Sequence, residues 1–240
     1  MQKEGGFKGV VDLLDDARGT LVRITVAVFI FSVISYLLSE KILIVLLRLL
    51  KMHPVSYAPQ EAILSILKLS LYSGIVLSFP VVAAISLKFL LGKIQPAYMK
   101  WIPLFIVISL LLFAGGFALC YFLLLPAGIG FLLSFGTDQM EPSLSIGKYV
   151  DFCAFLLLAT GLAHQAPLIS YLLAKARILS PDYFRGKTRY AVLLCFVIAA
   201  VVTPTPDVFN MTLMALPLLF LYFASVLVVR LAWKKESISR

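Results

Sequence analysis

The sequence predicts an all-α integral membrane protein with six transmembrane helices, and three observations predict it. Apolar residues make up 61% of the 240, with a mean hydropathy of +1.01, far beyond a soluble domain. Uncharged runs approach the roughly 20 residues that cross a hydrocarbon core of about 30 Å. The basic residues crowd the loops on one side of those runs.

Charges bound each run. Arg23 and Glu40 enclose 16 residues, Lys68 and Lys88 enclose 19, and Lys100 and Asp138 enclose 37. Asp151 and Lys175 enclose 23, Arg189 and Asp207 enclose 17, and Asp207 and Arg230 enclose 22. One helix accounts for each, the longest run including part of a loop. With the N-terminus inside, 16 of the 21 basic residues fall on one side: residues 3–23, 88–100, 175–189 and the tail from Arg230. Lys41, Arg48, Lys51, Lys68 and Lys148 fall on the other. This positive-inside asymmetry predicts that both termini are cytoplasmic. The net charge of +9 therefore orients the chain and meets anionic membrane lipid; it points to no nucleic acid.

The elements follow in order within a single transmembrane domain over 1–240. Residues 1–20, most clearly 5–19, read as an amphipathic cytoplasmic N-terminal helix, with Val10, Val11, Leu13 and Leu14 among Asp12, Asp15, Asp16 and Arg18. Span one starts near Leu21. Residues 40–62 form an outer cap, an interfacial helix followed by breaks at Pro54 and Pro59. Span two covers about 63–87 and contains Pro80; span three covers about 101–125 and ends at Pro126. A second outer cap occupies 127–147, and span four, with Pro167, covers about 149–174. From Tyr190 the chain reaches Pro204 in 14 residues, about 21 Å of helix. Thr203-Pro204-Thr205-Pro206-Asp207 then forces an extended turn. Spans five and six are read as a short pair that thins the membrane locally. Residues 230–240 form a cytoplasmic tail.

Polar residues in this apolar context are the candidates for function. Glu61, after Pro59, reads as an outer-face helix cap and Asp207 as the cap of span six. Lys68 lies early in span two, where it snorkels to the interface. Gln165 is expected wet or beside a polar neighbour, because lipid-facing amides are unfavourable; His164 reads as neutral and packed between helices. Pro80, Pro126, Pro167 and Pro217 set kinks. Asp16, with Asp12 and Asp15, has two readings: a receptor for cationic groups, or a solvated helix start favoured by the dipole. Cys120, Cys153 and Cys195 lack C-x-x-C spacing and read as buried apolar side chains, with a Cys120–Cys153 bridge conceivable. The first apolar segment leads into more membrane without a small-x-small exit, so no cleavable signal is expected. Metal sets, Ser–His pairs and Gly-x-Ser-x-Gly elbows are absent from the sequence, which predicts no enzyme, metal or cofactor.

Across nearly its whole length the chain resembles the TatC family, the polytopic subunit of the twin-arginine protein translocase. The resemblance lies in Pro59-x-Glu61, Leu67-Lys68-Leu69, Leu77-Ser78-Phe79-Pro80 and Leu112-Phe113-x-x-Gly116-x-x-x-x-Tyr121 with Pro126. Ser145-Ile146-x-x-Tyr149-x-x-Phe152, Gly161-Leu162 with Pro167, and Arg189-Tyr190 continue it. Its most specific stretch is Thr203-Pro204-x-Pro206-Asp207-x-Phe209, followed by Leu213, Ala215 and Pro217. The resemblance implies a concave, glove-like arrangement in a bacterial inner membrane. It implies docking of twin-arginine signal peptides of folded proteins at the cytoplasmic face, and assembly with TatA-like and TatB-like single-span partners into an oligomeric complex. Export would draw on the proton-motive force.

The same comparison exposes departures. The family's His-Leu-x-Glu-Leu-Arg-x-Arg aligns with residues 13–20, keeping an acid as Asp16 and an arginine as Arg18. The second signal-binding acid aligns with Tyr98, in a Lys88–Lys100 loop without any acidic residue. The acid of span four becomes Gln165, beside His164, and Met211 and Phe223 replace two further polar positions. Asp16, Arg18 and Tyr98 are thus the implied signal-peptide contacts; Gln165, His164 and Lys68 are the intramembrane or partner contacts. Pro59, Glu61, Pro126, Thr203, Pro204, Pro206 and Asp207 are outer-face structural residues. Two rival functions stand beside the translocase reading: a scaffold paralogue without arginine recognition, and a small-solute transporter, against which the lack of repeats counts.

Overall fold

In the computed structural model, which describes residues 2–50, 54–56, 58–94, 96–134, 145–202 and 208–237, the chain is all-helical. Its helices are α1 (Gln2–Leu47), α2 (Pro59–Ile94), α3 (Ile102–Leu119), α4 (Leu125–Ser134), α5 (Ile146–Ala163), α6 (Ala166–Lys175), α7 (Thr188–Val202) and α8 (Val208–Ser237). Among the described residues five segments are long and apolar enough to cross a membrane, and Thr188–Val201 is a shorter apolar helix. Among the described residues the one β feature is a parallel bridge between Val55 and Ser145.

Three boundaries differ from expectation. No break separates a surface helix from span one: α1 runs for 46 residues, through the segment read as an outer cap, to Leu47. It contains no proline, and a lone glycine such as Gly19 weakens a helix by only about 1 kcal/mol. Nor does Pro126 end span three. A five-residue π-turn, Cys120–Leu124, joins α3 to α4 and carries the chain to Ser134. The wider turn accommodates the missing proline N–H and the ring's clash with the preceding turn. Of the expected short pair, α7 has 15 residues, about 22 Å, but α8 has 30 and includes a 23-residue apolar stretch, Met211–Trp233. Pro217 lies inside α8 without ending it.

Span four divides at Pro167. The turn His164–Gln165 separates α5 from α6, and Pro167 sits in the first turn of α6, where its absent N–H removes no helical bond.

Packing is close where side chains are small. A Cβ on Gly74 would come within 2.5 Å of Ser32 Cα, and one on Gly161 within 2.8 Å of the Phe113 ring. Ser35 and Ser73 hydrogen-bond across the same α1–α2 contact, and Ser35 and Ser39 are buried. This is the small-residue packing by which helices approach in lipid, where no hydrophobic drive distinguishes neighbour from solvent. The largest core joins Leu46, Leu69, Cys120, Leu125, Tyr149, Val150, Cys153 and Ala215, contributed by α1, α2, the π-turn, α4, α5 and α8. Cys120 and Cys153 are both buried as free thiols, without the conceivable bridge.

Candidate functional site

Glu61 and Lys68 lie on one face of α2, two turns apart, and each meets α5. Pro59 opens α2 and Glu61 occupies its first turn. The Ser145 hydroxyl donates to Glu61 Oε1, as does the Gly147 N–H at 3.2 Å. Ser145 Oγ in turn accepts the Lys148 N–H at 3.3 Å, as the N-cap of α5. One carboxylate therefore serves the positive ends of two helices. The sequence predicted a cap on its own helix; the partners from a helix 84 residues away are the addition.

Two turns deeper, Lys68 Nζ meets Asp151 Oδ2 at 2.7 Å, both side chains part-exposed. Asp151 Oδ1 is buried with no hydrogen-bond partner. Beside this pair the last carbonyls of α1 are closed by phenols: Tyr149 donates to Leu46 O at 2.6 Å and Tyr121 to Val45 O at 3.2 Å. Helix ends leave such carbonyls without intrahelical partners, and in an apolar setting each must be satisfied.

The second polar cluster surrounds the α5–α6 turn. Gln165 is buried, and its amide clasps one residue of α3 twice. Ser109 Oγ donates to Oε1 at 2.8 Å, while Nε2 donates to Ser109 O at 3.0 Å. The expected polar neighbour is thus Ser109. His164 Nδ1 lies 2.8 Å from Thr160 O. A carbonyl only accepts, so Nδ1 carries the hydrogen and Nε2 is left as the second ring position. A Cβ on Gly116 of α3 would fall 2.5 Å from that Nδ1, so glycine is what admits the imidazole.

The implied signal-peptide residues lie at the opposite end of the α1–α2 hairpin. Ser32 faces Gly74 and Ser35 faces Ser73, and continuing that antiparallel register sets Asp16 and Arg18 level with the last turns of α2. Both are exposed, and the Asp16 carbonyl accepts the Thr20 hydroxyl at 2.8 Å. Tyr98 belongs to the 3-10 helix Pro96–Trp101 just beyond α2; its side chain lies outside the described residues, as do Thr203, Pro204, Pro206 and Asp207. Pro126 is exposed within a continuous helix. The structure joins Glu61 to Ser145, Lys68 to Asp151 and Gln165 to Ser109.

Sequence reasoning missed Asp151, Ser109 and the serine-lined α1–α2 contact. Each left a signal. Lys68 and Asp151 are opposite charges just inside two apolar runs, and Ser32, Ser35 and Ser39 recur at helical spacing.

Comparison with known proteins places this architecture in context. Residues 12–217 match the family model described as Sec-independent protein translocase protein (TatC). The chain is 34% identical over 226 residues to the Sec-independent protein translocase protein TatC of Carboxydothermus hydrogenoformans, covering 93% of each. It is 32% identical over 235 residues to the TatC of Aquifex aeolicus, covering 93% of this chain and 95% of that one. A crystal structure of the twin-arginine translocase receptor TatC superposes with a TM-score of 0.82 at 29% identity, covering 92% of this chain and 99% of that one.

Proposed function

Because the chain belongs to the TatC family of Sec-independent protein translocase proteins, we propose that it docks twin-arginine signal peptides of folded proteins at the cytoplasmic face of a bacterial inner membrane. In this reading both termini are cytoplasmic, six spans form a glove-like bundle, and TatA-like and TatB-like single-span proteins assemble with it for export driven by the proton-motive force. As a translocase component it is a membrane protein and not an enzyme. The task is recognition and assembly.

The observation that carries the docking reading is Asp16. It is exposed on α1, at the hairpin end that leads into the loop bearing Tyr98. A guanidinium takes two parallel hydrogen bonds from a carboxylate, which an ammonium cannot do as well. Asp15, also exposed one residue earlier, is the local candidate for a second acid, since Tyr98 offers a ring face and a hydroxyl but no charge. Gln165, already satisfied by Ser109, acts in this reading by positioning the α5–α6 turn. His164, through its second ring nitrogen, is the intramembrane group that serves partner contact in this reading, while Lys68 is paired with Asp151.

The scaffold reading rests on a specific observation too: Lys88, Lys93 and Lys100 bracket an α2–α3 connection without an acid, which repels paired arginines. One experiment separates the two. Binding of a twin-arginine signal peptide to the protein in nanodiscs is measured against its twin-lysine counterpart. The docking reading expects about tenfold preference for arginine, the worth of one charge-assisted hydrogen bond, lost in Asp16→Asn. Equal affinity for the two peptides overturns it in favour of the scaffold.

A further inference from the structure

The geometry points to an anionic phospholipid headgroup site on the connection between α6 and α7. The segment from Lys175 to Arg189 carries five basic residues and one acid, Asp182. That acid is engaged by Arg185 at 3.1 Å, and Lys187 and Arg189 lie beyond it.

What distinguishes this cluster from a solvated charge run is that its cations are seated on aromatic rings. Lys187 Nζ lies 3.7 Å from the Tyr183 ring centroid and the Arg189 guanidinium 4.8 Å from that of Tyr190. Arg189 also donates to the Tyr190 hydroxyl at 3.0 Å. Arg177 stacks over Trp233 at 4.5 Å, and that indole is itself pinned by its N–H to Leu179 O at 2.9 Å. A ring that holds its cation in place has already spent part of the side-chain entropy of ordering before a phosphate arrives.

The backbone supplies an independent observation. Arg177 ends α6 in the left-handed region, at φ 62°, where glycine is the usual residue. That conformation is unfavourable for a residue with a Cβ, and the Arg177 guanidinium stacks against Trp233 from it.

Depth identifies the source of the phosphate. The apolar segments Ile146–Lys175 and Met211–Trp233 end at this cluster, and Thr188–Val201 begins at it. Three apolar segments thus terminate together, with the exposed Tyr183, Tyr190 and Ile178 among the cations. Tyrosine and tryptophan beside basic residues mark the headgroup layer of a bilayer, where lipid phosphate is far more concentrated than any free anion. The occupant is the phosphodiester of an anionic membrane lipid, held by Lys187 and Arg189, with Arg177 at the rim. This site rests on the membrane-spanning reading but not on signal recognition, so failure of arginine-peptide binding leaves it standing.

Trp233 offers a direct readout. In Trp101→Phe, Trp233 is the sole tryptophan, and its quenching by brominated phosphatidylglycerol is compared with quenching by brominated phosphatidylcholine in mixed bilayers. The expected preference for phosphatidylglycerol is about fivefold, near the effect of one basic residue at an anionic surface. It should fall to none in Lys187→Gln/Arg189→Gln and persist in Lys41→Gln/Lys148→Gln, which removes the same charge elsewhere. Native mass spectrometry of the protein with both tryptophans, scoring retained phosphatidylglycerol, covers the case in which Trp101→Phe does not fold. No preference for phosphatidylglycerol, or a preference the first pair of substitutions leaves intact, overturns the site. Displacement of the lipid by millimolar inorganic phosphate would assign the cluster to free anions and overturn the lipid source.

Discussion

The two ends of the α1–α2 hairpin are built on opposite plans. At the Glu61 end, charges and hydroxyls are matched across helices: Glu61 with Ser145 and Gly147, Lys68 with Asp151, and Tyr149 with the end of α1. At the Asp16 end, Asp15, Asp16 and Arg18 stand exposed along a single helix. The difference teaches where partners come from. Groups that satisfy one another inside the molecule lock helices together, whereas exposed groups can be reached by a ligand that brings its own charge.

Four substitutions test that contrast, from the largest expected effect to the smallest. Lys68→Met removes the only described partner of a carboxylate in an apolar stretch and should give the largest fall in melting temperature of the four. Thermal unfolding in detergent reads it. Lys68→Met/Asp151→Leu should recover most of the loss, and a double variant no more stable than the single would break the claim that the pair locks α2 to α5. Next comes Glu61→Ala, which strips the acceptor from the start of α5 and should lower stability by about 1–2 kcal/mol. Glu61→Gln keeps an uncharged acceptor and should fall between, by the same measurement.

Tyr149→Phe should follow at about 1 kcal/mol, the net worth of one buried hydrogen bond. Leu46 O would retain the Leu49 N–H at 3.1 Å, so a much larger loss would mean that the phenol holds more than the end of α1. Smallest of all, Asp16→Asn should move stability by less than about 0.5 kcal/mol. Unfolding scans as steep and as high as those of the parent protein would sharpen the contrast; a shift comparable to that of Glu61→Ala would erase it.

The legibility of the molecule in its sequence divides along the same line. The existence of the apolar runs, the short α7 and an irregularity at Pro167 are legible, since each depends on a local run of apolar residues or on a proline. The expected break before span one, the interfacial helix within the 40–62 cap, the short sixth span and the stop at Pro126 do not match the structure. α1 has no proline to interrupt it, and the π-turn at Cys120–Leu124 absorbs one that elsewhere ends a helix. Among candidate residues, Glu61 was legible as a cap and Gln165 as an amide in need of a polar neighbour, but neither partner was.

By itself the sequence determined that this chain is a bundle of apolar helices. In lipid every backbone N–H and C=O must be satisfied, and a helix does so within its own segment, so the pattern of apolar runs is enough. Tertiary structure alone decided which polar side chains meet. Glu61 finds Ser145, Gln165 finds Ser109 and Tyr149 finds Leu46 across separations of 84, 56 and 103 residues. Such pairings follow from how helices cross, through contacts as small as Gly74 on Ser32, and no local pattern in the chain encodes a crossing.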